Sequence, residues 1–446
     1  MKNQRSSRAV FVTACVCAVF VSNPVYAANW LMLQGTEPEA AAERARIWGF
    51  IQPQYEYRGD SNLSAGPFRG QDASFNQIGP DLTNSNQFQI RRARLGVRGT
   101  AFPLDSDVNY FFLIEAGNNG ITKFTTDRGV ALTDASVTLN HFKRFTRLRF
   151  GQFKYPGSED GLQAIHVHNY VNFATPTDQL LQERFFKTDG FDPQESNKPT
   201  GFNAFRDIGL QLFNAFQTKE WLGSPWEHSY AVMVGNGNGI NRGDDNSNKD
   251  VYLYASTGQV FAGKGARRQD WKLFAWYQKG DRKLETQGNP SGHNYERKRW
   301  GLGLTFRKDK YRLYAEYYKA DGVIFAGTDG GAVPGSVNNA GTAVASFNVF
   351  PNQEAYGWYV DGGYKVLPNV ELDYRFSYLD RGTNPPDTDE REFWDHTLGV
   401  QYWFNKKVRA IINYQFRNAR AKNNSVANDI VNDIDNVFSA QVLAIF

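Results

Sequence analysis

The sequence predicts an all-β chain: a transmembrane antiparallel β-barrel of about 16 strands, with short periplasmic turns and long outer loops. Three observations predict it. The last strand alternates and closes on an aromatic residue, Phe446. The composition joins a low mean hydropathy of −0.55 to 15% aromatic residues and 41 glycines. The connections between strand segments alternate between long and short.

The N-terminus reads as a secretory signal, residues 1–27. Lys2, Arg5 and Arg8 form a basic start, residues 9–21 are apolar, and Val25-Tyr26-Ala27 is a small-residue cleavage site. Export is therefore expected, to the bacterial outer membrane. Both cysteines, Cys15 and Cys17, lie in this segment, so no disulfide or thiol chemistry is expected in the mature chain. Removing the segment takes away three basic and no acidic residues and lowers the net charge from +4 to +1. That value gives no support to a role on nucleic acid.

Residues 28–45 are expected as an N-terminal periplasmic extension. Glu37 to Arg46 would form a short helix or an unstructured tether. The barrel then spans 46–446. No run of about 18 apolar residues follows the leader, so a spanning helix is not expected.

Period-2 segments bounded by turn residues fall near 46–58, 86–101, 105–117, 129–142, 144–154, 201–217, 226–236 and 247–263. They continue near 269–279, 294–308, 310–321, 353–366, 370–380, 392–404, 407–418 and 434–446. Glu371, Asp373 and Arg375 alternate with Leu372, Tyr374 and Phe376. In a sandwich the apolar face would be the core. In a barrel it meets lipid, and the charged face lines the lumen.

Connection lengths favour the barrel. Short turns are expected at 102–104, 308–309, 367–369 and 405–406. Long polar loops are expected at 59–85, 118–128, 155–200, 237–246, 280–293, 322–352, 381–391 and 419–433. Tight turns on one side and long loops on the other are the pattern of an even-stranded barrel. In the closing strand Phe438, Ala440, Val442, Ala444 and Phe446 share one face, which lipid would cover.

Several blocks together resemble the phosphate-selective porin family, the porin O and P type. They are Ile90-Arg91-Arg92-Ala93-Arg94-Leu95-Gly96-Val97-Arg98-Gly99, the stretch 107–115, Leu132-Thr133-Asp134-Ala135-Ser136-Val137 and Leu148-Arg149-Phe150-Gly151-Gln152-Phe153-Lys154-Tyr155-Pro156. Thr397 to Phe404 and the strands after it fit as well. The resemblance implies a sixteen-stranded homotrimeric barrel in outer-membrane lipid, an inward-folded third loop, and a pore that prefers small inorganic anions. No cofactor is implied.

Strand phase assigns the lumen face. In the second strand Ala93, Leu95 and Val97 point one way and Arg92, Arg94 and Arg98 the other. An arginine at lipid mid-depth costs about 2–4 kcal/mol, so the arginine face must be the lumen. The fifth strand adds Arg147 and Arg149. The tenth adds Arg297, Arg299 and Arg307, and later strands add Arg312, Arg375 and Arg409. A guanidinium stays charged and grips an oxyanion through paired N–H donors, which suits an anion path. The alternative for each is pairing with lumen acids such as Glu115, Asp134, Asp207, Glu316, Asp361, Glu371 and Asp373.

An open sixteen-stranded barrel leaves a wide channel. Loop 155–200 is the longest connection and the candidate to narrow it, with Lys154, His166, His168, Arg184 and Lys187 expected to face the pore. His166 and His168 share a strand face, but no further ligand completes a metal site. The oxygen-rich stretch 244–250 lacks the glycine and terminal glutamate of a calcium loop. No nucleophile motif accompanies His228 or His396, so an enzyme is not expected. The functional expectation is a porin for phosphate or related oxyanions. A general diffusion porin, a barrel hydrolase and an adhesin using loops 59–85 and 322–352 are the alternatives.

Overall fold

The computed structural model describes residues 29–37, 44–76, 82–101, 103–122, 129–142, 145–221, 224–263, 265–328, 331–385 and 387–446. The expected signal segment and its cleavage point lie outside them. The strands in chain order are β1 (Arg46–Tyr57), β2 (Asn86–Ala101), β3 (Asp105–Glu115), β4 (Ala131–Leu139), β5 (Arg147–Lys154), β6 (Arg184–Phe185) and β7 (Gly201–Phe202). Next come β8 (Arg206–Trp221), β9 (Ser224–Gly235), β10 (Asp250–Ala262), β11 (Gln269–Thr286), β12 (Asn289–Lys308), β13 (Tyr311–Asp321), β14 (Ile324–Gly327) and β15 (Asn348–Phe350). The last are β16 (Glu354–Leu367), β17 (Val370–Arg381), β18 (Arg391–Trp403), β19 (Val408–Arg420) and β20 (Val437–Ile445).

Sixteen of these close into one antiparallel barrel, and β6–β7 and β14–β15 form small hairpins off the wall. Closure pairs β1 with β20, Phe50 opposite Ile445 and Tyr57 opposite Phe438. The main chain continues the seam past the strand: Phe446 N donates to Gly49 O at 3.0 Å. Gly49 has no side chain because the Phe446 ring lies where a Cβ would sit. Phe446 itself is 57% exposed on the outer face.

The alternation has the expected sense. Leu95, Phe150, Leu302, Leu372 and Tyr374 are exposed on the outside, whereas Arg149, Glu371, Asp373 and Arg375 are buried inside. Two connections differ from expectation. The segment 280–293 is not a loop. β11 and β12 run on through Asp281 opposite Glu296 to Thr286 opposite Asn289, leaving 287–288 as the turn. Above the membrane the outer face of a strand is solvated, so the pattern loses its apolar half and reads as a loop. The other difference is at 201–202, which pairs with Arg184–Phe185 instead of opening the wall strand.

The segment between β5 and β8 crosses the lumen. It carries helix α2 (Glu159–Leu162; α1 is Trp30–Leu33) and a π-type turn, Thr177–Leu181. Its main chain is held by distant wall side chains. Arg375 donates to Asn172 O and Phe173 O, both at 3.1 Å. Arg409 donates to His168 O at 2.7 Å, and Val171 N donates to Asn413 Oδ1 at 2.8 Å. Ile165 packs with Phe50 and Leu443 at the barrel seam. Buried carbonyls away from water require such partners.

Residues 29–37 also lie against lumen side chains, which corrects the expectation of an extension outside the barrel. Asn29 Oδ1 caps α1 by accepting from Leu31 N at 3.0 Å, and Trp30, Leu31 and Met32 are buried. The three apolar residues join the buried cluster that holds Phe153 and Phe213 of the wall, which takes them out of water. The expected helix or tether at 37–46 falls largely on residues 38–43, outside those described.

Candidate functional site

Two cavities flank the crossing loop. The inner one, about 320 Å³, is lined by α1, the periplasmic ends of β1–β3 and loop residues 164–167. The outer one, about 90 Å³, is lined by the outer ends of β1, β2, β18 and β19 and by loop residues 171–179. β2 serves both: Arg91 and Arg92 face the outer cavity, Arg94 and Arg98 the inner.

Local chain geometry explains why two consecutive arginines point inward. Gln52 pairs with Arg92, but Pro53 pairs with Ile90, so Arg91 is an extra residue. Proline has no N–H for the ladder and is tolerated at a bulge. The bulge breaks the two-residue period and turns Arg91 to the inside. Arg91 and Arg92 are 4% and 3% exposed. Arg92 Nη1 donates to Gln52 Oε1 at 3.2 Å, and Arg91 Nη1 has no acceptor among the described residues. Sequence phase alone missed Arg91. Pro53 within an otherwise regular strand was the available signal.

The remaining wall arginines divide by partner. Arg94 Nε donates to Glu115 at 2.7 Å while its side chain lines the inner cavity. Arg98 is held by Glu37 and by Leu33 O and Thr36 O, both at 3.1 Å. Arg149 donates to Leu31 O at 3.2 Å, to Gln34 O and to Thr138 Oγ1 at 3.1 Å, and lies over the Phe213 ring. Arg147 donates to Asn214 Oδ1. The N-terminal segment thus occupies guanidinium donors of the second and fifth strands.

Arg297 and Arg299 sit elsewhere, on the outer half of β12. Arg297 lies 3.3 Å from Glu183. Arg299 donates to Leu180 O at 3.0 Å, Gly322 O at 2.9 Å and Val323 O at 2.8 Å, tying two outer loops to the wall. Arg312 is enclosed by Asp361, Glu371 and Asp373. These arginines pair within the protein and fasten it.

The five expected loop residues also separate. Lys154 Nζ donates to Gly161 O at 2.7 Å and Gln163 O at 2.8 Å, anchoring the start of the loop, and it lines the inner cavity. His166 lines the same cavity against Phe50, 5.0 Å between ring centroids. Burial, then the charges of Arg94 and Arg409, push its imidazole down to about 3, so it is neutral. His168 lies 3.5 Å from Asp160 and is driven the same way by burial and by Lys154. Arg184 pairs with Asp178 at 3.4 Å and stacks on Phe325. Lys187 pairs with Glu195 at 3.2 Å near the outer surface, with half its side chain exposed. His166 and His168 face different neighbours and do not converge on a common point.

The charge balance differs between the cavities. The outer lining carries Arg58, Arg91, Arg92 and Arg417 against Glu56, Asp178 and Asp395. The inner carries Arg46, Arg94, Arg98, Lys154 and Arg206 against Asp134 alone, with Glu37 and Glu115 bound to Arg98 and Arg94 from behind. Fixed cations in excess within a narrow lumen raise the local anion concentration.

Comparison with known proteins agrees with this architecture. The sequence profile of the family described as phosphate-selective porin O and P matches residues 65–182. The resemblance drawn from the Arg-Arg-x-Arg and Gly-Gln-Phe-Lys blocks holds over that part of the chain. No curated protein matches in sequence. Among solved structures the chain is similar to the outer membrane channel DcaP of Acinetobacter baumannii, with 13% identity, TM-score 0.51, 93% of this chain and 100% of that one covered. It is also similar to an anion-selective porin from Comamonas acidovorans, with 12% identity, TM-score 0.50, and 90% and 99% covered. For OprB of Pseudomonas putida the figures are 10% identity, TM-score 0.51, and 90% and 94% covered. The fold is that of an outer-membrane porin.

Proposed function

We propose that this outer-membrane porin passes small anions, phosphate or related oxyanions, by passive diffusion, and that it works as a homotrimer delivered by a leader cleaved near Ala27. One observation carries the reading. Arg91 and Arg92 stand side by side at the outer cavity, buried, and neither forms an ion pair among the described residues. A buried guanidinium with no carboxylate in ion-pair contact gains from an anion that enters the cavity. Arg94, Arg98 and Lys154 continue the basic surface inward. The loop 155–200 forces the anion past these groups, and binding stays weak enough for release because Arg92, Arg94, Arg98 and Lys154 are already partly hydrogen-bonded.

The test is reversal potential in a planar bilayer under a KCl gradient, followed by block of chloride current with phosphate. Anion selectivity with phosphate block is the expected result. Cation selectivity would sink the reading and leave the barrel intact. The second reading, a general diffusion porin, is favoured by Glu56, Asp178 and Asp395 in the outer cavity. It predicts weak selectivity and no phosphate block.

A further inference from the structure

The inner cavity has a property that a path for inorganic phosphate does not need. At about 320 Å³ it falls in the size range of small-molecule sites, roughly 300–1,000 Å³. A single phosphate fills a small part of it. One wall is apolar and aromatic, made by Trp30, Trp48, Phe50, Phe111 and Leu113. Trp48 lies 5.9 Å from Phe111 and 6.4 Å from Phe50 between ring centroids. Gly96 makes room for the indole: a Cβ there would sit 2.8 Å from the Leu113 side chain and 3.1 Å from Trp48 Nε1. That Nε1–H has no acceptor among the described residues.

The other wall is basic. Lys154 donates to two loop carbonyls, Gly161 O and Gln163 O, and has no carboxylate partner among the described residues; an ammonium has three donors. Arg94 and Arg98 lie over the faces of Phe50 and Phe111, at 5.8 and 5.5 Å. The cations and rings are therefore in contact, and one ligand can touch both. Helix α1 forms the floor through Trp30, and Gln34 Nε2 ties it to Leu162 O at 3.1 Å. Water-filled paths for hydrated ions have no use for such a surface, because apolar walls offer an ion nothing in place of its lost hydration.

We infer that the inner cavity is a binding site for organic anions with an apolar ring or branched body, the oxyanion held by Lys154 and Arg94 and the body packed against the cavity's indoles, Trp48 and Trp30. The inference rests on the anion-porin reading and adds a substrate class to it. A ring buried against this wall is expected to strengthen binding about tenfold over a methyl group carrying the same charge.

The experiment is block of chloride current through the full-length reconstituted channel by benzenesulfonate, methanesulfonate and inorganic phosphate. Benzenesulfonate is expected to block at a concentration about tenfold below the other two. Trp48→Leu and Trp30→Leu are each expected to bring the benzenesulfonate-to-methanesulfonate ratio towards one. Trp30 is outside the barrel wall, so its variant tests the site without touching strand pairing. Equal block by the two sulfonates, or a ring preference kept in both variants, overturns the site while leaving an anion-selective porin. A cation-selective reversal potential overturns both.

Discussion

Replacing Arg91 and Arg92 together by glutamine is the most direct perturbation of the outer cavity. Both side chains are buried, both line it, and neither is in ion-pair contact with a carboxylate among the described residues, while Glu56 keeps its own partner in Arg58. Two unit charges about 6 Å apart in water interact by about 0.7 kcal/mol. An energy of that size changes the local anion concentration about threefold, and removing both charges changes it about tenfold. Dilute salt is needed, because at 0.1 M the screening length is already about 10 Å. The assay is the anion-to-cation permeability ratio from reversal potentials in a salt gradient. The double variant should lose at least about tenfold in this ratio, because the same change that thins anions enriches cations. Arg299→Gln should change it far less, because Arg299 lines neither cavity and is tied to the carbonyls of Leu180, Gly322 and Val323. An unchanged ratio in the double variant, or an equal loss in both proteins, would refute the assignment of the path to the bulge arginines.

Three further outcomes are expected. Arg312→Gln strands the carboxylates of Asp361, Glu371 and Asp373, and should destabilise the barrel by about 3–5 kcal/mol in urea unfolding from detergent; a loss under about 1 kcal/mol would contradict it. Burial holds the His166 imidazole at about 3 and His168 well below its usual value, so the unfolded chain binds protons there that the folded chain does not. Their stabilising contribution is therefore whole above about pH 6.5 and shrinks as pH falls below it. His168→Gln should flatten the slope of stability against pH in that window, and an unchanged slope would count against it. Glu37→Gln frees Arg98 and Arg46 at the inner mouth and should raise the permeability ratio about threefold; a fall would show that Glu37 serves only to hold the N-terminal segment.

The candidate site was partly legible in the sequence. The phase of Arg92 and Arg94 followed from the lipid cost of the opposite choice, and both line the cavities. Arg149 and Arg299 have the same phase, and nothing local separates them from Arg92. What separates them is the partner each meets. Arg149 meets Leu31 O across 118 residues of sequence and Arg299 meets Leu180 O across 119. Lys154 belonged to a recognisable strand end, yet its bonds to Gly161 O and Gln163 O depend on how the following loop turns.

By itself the sequence determined the strands, their number and the face each turns to lipid. Those features come from a two-residue period and a solvent that charges a large penalty for error. Only the tertiary structure decided which basic groups remain open to an anion. It did so through the Pro53 bulge that turns Arg91 inward, the crossing loop that takes up Arg375 and Arg409, and the entry of residues 29–37 into the barrel mouth. Each of these is a contact between segments distant in the chain. A guanidinium carries the same charge whether it faces a carbonyl or a channel, so position in the closed barrel, and not residue type, sets its role.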